Sequence, residues 1–281
     1  MNKALLSKIL RHVFAFLHAL MLFYPAALAV TLVTVRGVTK HADDSDYYTN
    51  LKSALVKELK EYAPSTGISE DFFDTAVDAD LFDIHSRKYV EMSLVGEDTA
   101  ALSGTLRSDM DGEFYTKLED YAKTEGFVLT DEVKAALSHL SGLCADKYVE
   151  YACPRITGLL FSVFGRALRL ADKYALLAFA VLAAIMSVCV WGTLRLSKSA
   201  RFKPLAASVL AGGLMCLALP LVILLGGTVD KLNITSAAMM GLIKAVSYSW
   251  LWAMIIIGAV LSVLSLILIV IKLIKEKNHS A

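Results

Sequence analysis

Six carboxylates with no base between them fall within fourteen residues: Glu70, Asp71, Asp74, Asp78, Asp80 and Asp83. At about 100° per residue, Glu70, Asp71, Asp74 and Asp78 share one face of a continuous helix. Carboxylate oxygens at that density suit Ca²⁺, with Asp74 and Asp78 as the candidate ligands. The plainer expectation is a solvated helix start followed by a linker.

A second candidate is "SDMDGEFYTKLED", where Asp109, Asp111 and Gly112 match the D-x-D-G core of a calcium loop. Placing Gly112 on the turn glycine puts Arg107 at the first ligand position and Leu118 at the closing one. Both ends fail. Asp109 or Asp111 is better read as capping a helix that begins near Glu113.

Cys144 and Cys153 form a candidate disulfide outside the membrane. Nine residues of unbroken helix hold such a pair about 13 Å apart, whereas bridged Cα atoms lie about 4–7 Å apart. The bridge therefore requires a helix break near Ala145–Lys147, while Pro154 places a break after Cys153. Cys189 and Cys216 fall in apolar stretches and read as small apolar residues.

The histidines (His12, His18, His41, His85, His139 and His279) pair with no second ligand at metal spacing. His18 lies inside an apolar stretch, where an imidazole is a functional candidate by default. Its plainer role is a neutral partner for a neighbouring helix. There is no P-loop and no cofactor motif, and no catalytic set is visible. "NIT" at Asn233 matches a glycosylation sequon.

The elements that must position these residues are helices. Four stretches carry no charged side chain, 13–35, 174–194, 205–227 and 246–271, each long enough to span a bilayer. The expected fold is all-α: a four-span membrane protein with a helical extracytoplasmic domain between spans one and two. Lys3, Lys8 and Arg11 precede the first span. Arg195, Lys198, Arg201 and Lys203 form a basic loop (195–204) between the second and third. Lys272, Lys275 and Lys277 follow the fourth. The positive-inside rule puts these segments and both termini in the cytoplasm, with 36–173 and 228–245 outside. Segment 36–173 holds 25 of the 27 acids and 16 of the 28 bases, a balance of −9 that the whole-chain +1 conceals. An acidic exposed domain argues against nucleic acid as a partner.

Within 36–154, Ser45, Ser69 and Thr130 read as helix N-caps, and Pro64, Gly96 and Gly126 as stops. In 155–173 an apolar stripe of Ile156, Leu159, Leu160, Val163, Phe164, Ala167 and Leu168 is flanked by Arg155, Arg166, Arg169 and Lys173. That helix is expected to dock on the domain by the stripe and run into span two as a stalk. The alternative lays it flat on the membrane surface.

Residues 16–37, "FLHALMLFYPAALAVTLVTVRG", admit two readings. Ala27-Leu28-Ala29 fits a signal-peptide cleavage site. Apolar character nevertheless continues to Val35, which favours a first span kinked at Pro25. No span contains Asp, Glu, Lys or Arg, whereas coupled transporters and intramembrane proteases need polar groups there. Ala211-Gly212-Gly213 suits close helix approach.

The functional expectation is a non-enzymatic plasma-membrane protein, bacterial in its economy. It would sense, bind or assemble through its outer domain, without cofactor or metal. Its partners would be the lipid bilayer and either another protein or a second copy of the chain. The alternative is a transport component served by an ATPase in trans, on an analogy of topology.

Overall fold

The computed structural model describes residues 3–196 and 202–278. Among them the chain is all-helical, without strands. In order the helices are α1 (Lys3–Arg36), α2 (Val38–Asp44), α3 (Tyr47–Lys60), α4 (Ala63–Thr66), α5 (Glu70–Ala76), α6 (Ala79–Val95), α7 (Thr99–Thr124), α8 (Asp131–Ala152), α9 (Arg155–Leu196), α10 (Phe202–Leu225) and α11 (Ala237–Asn278). Four of them, α1, α9, α10 and α11, are long and apolar enough to cross a membrane. Lys198 and Arg201 of the basic loop lie outside the described residues.

The chain divides into two compact units. One comprises Met1–Gly37, Leu170–Asn233 and Val246–Ala281, the other Val38–Arg169 and Ile234–Ala245. The second, here called the helical domain, therefore includes part of what the sequence suggests is a simple external loop at 228–245. Ile234–Ala245 packs there because Gly241 offers only hydrogen toward Ser45, whose carbonyl oxygen would lie 3.1 Å from an added Cβ. The Thr157 hydroxyl meets the Met239 sulfur at 3.2 Å.

Local signals set many of the domain's helix ends. The Ser69 side chain accepts from the Asp71 N–H, Thr130 from Val133, and Asp78 from Asp80 and Leu81. Gly96 and Gly126 stop α6 and α7 in left-handed conformations that cost glycine little. Three expectations are corrected. Asp46 rather than Ser45 precedes α3, with φ at 53° and no side-chain cap. Pro64 does not stop α3, which ends at Lys60; it lies in the short α4 instead. No helix begins at Glu113, because α7 runs unbroken through Asp109, Asp111 and Gly112. The cause is packing: Leu106, Met110, Phe114, Leu118 and Ala122 recur every four residues and are all buried. That burial outweighs the cost of about 1 kcal/mol for a mid-helix glycine.

The spanning unit is held by polar and small residues inside an apolar exterior. His18, 4% exposed, is hydrogen-bonded through Nδ1 to Ser208 Oγ at 2.7 Å. Trp250 donates to Thr31, and Ser265 to the Ala206 carbonyl. Val30, Cys216 and Met254 form a buried cluster against Phe23, Ala26 and Ala27, so residues flanking the candidate cleavage site are part of this packing. An added Cβ at Gly213 would lie 3.0 Å from the Gly258 carbonyl oxygen, and one at Gly258 would lie 2.8 Å from the Gly213 oxygen. This is the close approach expected of Gly213. Gly258→Ala is expected to separate α10 from α11 and lower the thermal midpoint of the intact protein in detergent by several degrees. An unchanged midpoint by scanning fluorimetry would contradict that contact.

Candidate functional site

One cleft of the helical domain has a volume of about 1280 Å³. Its walls come from elements far apart in sequence. They are the first turns of α7 (Thr99, Ala100, Ser103), the last turn of α8 (Val149, Glu150), the start of α9 (Arg155–Thr157), and 234–236 with the start of α11 (Met239, Ile243). Leu51, Tyr89, Arg107, Asp146 and Cys153 are among the other lining residues. Three helix N-termini thus border one space. Asp98 caps α7 through the Ala100 N–H at 2.9 Å, and Ser236 caps α11 through the Met239 N–H at 3.3 Å. α9 follows Pro154, which has no N–H to offer.

The lining is mostly apolar, with a band of hydroxyls and four charges. Asp146 is held by the Arg107 guanidinium, and Glu150 by Lys147 at 3.0 Å. Arg155 is exposed and makes no ion pair among the described residues. Cys153 sits in the wall at 5% exposure, and burial pushes its thiol up to about 11. A thiol that stays protonated is a poor nucleophile. The cleft is large enough to hold a ligand.

A second cleft of about 690 Å³ lies between α3, α5 and α6, lined by Lys52, Lys57, Lys60, Asp74, Asp80 and Asp83 among others. It takes in Asp74, Asp80 and Asp83 of the first acidic cluster, and the cluster does not form a shared helix face. α5 ends at Ala76 and Val77 is extended, so Asp74 and Asp78 fall on separate elements. Asp74 is paired with Lys60 at 2.7 Å. Asp78 caps α6, and the Leu81 N–H holds its carboxyl below the usual range. Asp109 lies within α7, and Asp111 accepts from the Ser141 hydroxyl at 2.6 Å. No group of three or more His, Cys, Asp or Glu able to hold a metal occurs among the described residues.

Cys144 and Cys153 are free thiols and both are buried. α8 is continuous from Asp131 to Ala152, so the break that a bridge requires between them does not occur. Burial pushes the Cys144 thiol up to about 12.

The start of α9 docks on the domain, but by a face other than the apolar stripe. Phe161 is 1% exposed and Thr157 3%, while Ile156 is 78% exposed, with Leu159 and Val163 also exposed. Close approach selects the docking face. A Cβ at Gly158 would meet the Tyr89 hydroxyl at 2.1 Å, and one at Gly165 would meet the Leu94 carbonyl oxygen at 1.7 Å. Arg169 donates to the Leu94 and Val95 carbonyls at 2.8 and 2.6 Å, capping α6 with a cation. Arg166 is exposed. In the spanning unit, Lys173 lies over the Tyr174 ring and Arg195 over the Trp191 ring, as basic–aromatic pairs do at span ends.

His85 was not singled out by spacing, yet it joins the domain's core through Tyr148, whose hydroxyl lies 3.0 Å from Nδ1. Desolvation lowers its pKa, against a smaller raising effect of Glu113. The folded state therefore binds fewer protons than the unfolded state as pH falls. The stability this contributes is complete above about 6.5 and is lost as pH drops through the lower folded value. His85→Gln is expected to flatten the loss of thermal midpoint between about pH 7 and pH 5. An unchanged slope would remove His85 as the cause.

No family model matches the chain, and no curated protein or solved structure matches it either.

Proposed function

We propose that this is a non-enzymatic, multi-pass protein of the plasma membrane that binds a ligand in its helical domain, on the extracytoplasmic side. The binding state is relayed to the spans. One observation carries the reading: both α9 and α11 begin as walls of the large cleft and continue, without a helix break, as apolar spanning helices. Occupancy of the cleft acts on the same two helices that cross the bilayer. The charge pattern of the flanking segments supports the sidedness. The short connection between Leu196 and Phe202 gives a trans ATPase little to grip, which favours this reading over a transport subunit.

Sidedness is tested by single cysteines placed at exposed Asp71 and at position 278 in a chain otherwise cleared of thiols. In intact cells a membrane-impermeant maleimide should label position 71 at once and position 278 only after permeabilisation. The reverse pattern would overturn the orientation. The relay is tested with spin labels on α9 and α11 within the spans. Their separation should change when the cleft is filled by Ala100→Trp, and identical distance distributions would refute it.

A further inference from the structure

We infer that the large cleft of the helical domain binds an anionic phospholipid drawn from the membrane, with an acyl chain along its apolar wall and its phosphate at Arg155. This rests on the proposed binding role, but neither on its sidedness nor on the relay. The volume of about 1280 Å³ exceeds the usual range of small-metabolite pockets and leaves room for a long ligand. Polarity in the cleft is divided. Leu51, Val149, Ile156, Met239 and Ile243 supply apolar surface, and hydroxyls of Thr99, Ser103, Thr235 and Ser236 supply hydrogen bonds.

The ion pairs single out the group that meets the headgroup. Asp146 pairs with Arg107, and Glu150 with Lys147, which also reaches Glu58 at 3.5 Å. The lining balances two arginines against two carboxylates, and Arg155 is the one of the four that makes no ion pair among the described residues. That guanidinium stands at the start of α9, where the helix dipole is also positive; the start of α11 borders the same space, as does that of α7, which the Asp98 carboxylate already caps. A guanidinium with several free donors matches a phosphate oxygen pair. A ligand without a phosphate or carboxylate would leave it unmatched.

The source of the ligand follows from the outer face of α9. Ile156 both lines the cleft and begins an exposed apolar row, continuing through Leu159, Leu160 and Val163. Those residues belong to the apolar stripe that docking left uncovered. A row of this kind conducts an acyl chain along the helix to the cleft without crossing a polar surface, and no free anion or peptide needs it.

The test uses the full chain in nanodiscs, with native mass spectrometry after release from the disc. Wild type should retain one phosphatidylglycerol per chain in preference to phosphatidylcholine by about tenfold or more. Arg155→Gln should erase that preference while Arg166→Gln, a cation outside the cleft, keeps it. Ala100→Trp should fill the cleft and abolish retention of either lipid. Equal thermal midpoints for the two arginine variants show that folding is unaffected. The proposal falls if Arg155→Gln keeps the preference, if Ala100→Trp still retains lipid, or if inorganic phosphate displaces the lipid as readily as phosphatidylglycerol does.

Discussion

Gly165→Ala is expected to destabilise the helical domain by about 3 kcal/mol, the upper end of the usual cost of overpacking. The methyl group would be placed 1.7 Å from the Leu94 carbonyl oxygen and 3.0 Å from its Cα. Backbone cannot rotate aside as a side chain can. The end of α6 must therefore retreat from α9 by more than an ångström, and the Arg169 bonds to the Leu94 and Val95 carbonyls are pulled with it. Gly104 and Gly112 supply the control. Both are helical, and an added Cβ at either meets nothing within 4 Å. There the same change should stabilise by up to about 1 kcal/mol, because alanine is the better helix former. Thermal midpoints of the three variants should move in opposite directions. A Gly165→Ala protein as stable as wild type would mean that the α6–α9 contact is not made.

Phe114→Ala carries the other large effect. The ring is fully buried in the α7 stripe and packs edge-on to Tyr148 with centroids 6.2 Å apart. Tyr148 in turn packs on Phe82 and His85, so one aromatic side chain ties α7 to α6 and α8. Truncating a buried phenylalanine costs about 3–5 kcal/mol, a large share of the 5–15 kcal/mol that holds a typical domain. Chemical denaturation followed through the domain's tyrosines should show a much earlier transition. A loss under about 1 kcal/mol would place Phe114 outside the core.

Signals that act over a few residues were legible in the sequence. Ser69, Thr130, Gly96 and Gly126 end or begin helices because a cap is settled by its own turn. The four spans were legible because hydropathy over twenty residues needs no tertiary partner. Gly213 was legible as a contact, although its partner Gly258 was not. What escaped was decided by packing at a distance. Asp109, Asp111 and Gly112 look like a helix start, yet the buried stripe from Leu106 to Ala122 carries α7 straight through them. The stripe from Ile156 to Leu168 looks like the docking face of α9. The actual face is Thr157, Gly158, Phe161 and Gly165, chosen because two glycines let α6 come close. The cleft was invisible for the same reason: its walls are brought together only by the fold.

The division of the helical domain between Val38–Arg169 and Ile234–Ala245 also fixes an order of assembly. During synthesis its larger part emerges early, but the segment bearing Met239 and Gly241 does not exist until α10 has been made. Domains generally fold as their chain appears, and this one is left waiting with one wall missing. The wall formed by residues 234–236 with Met239 and Ile243 is therefore the last to be added. Until it arrives, the start of α9 and the first turns of α7 face an open side of the domain. The cleft is thus the part of the domain that synthesis completes last.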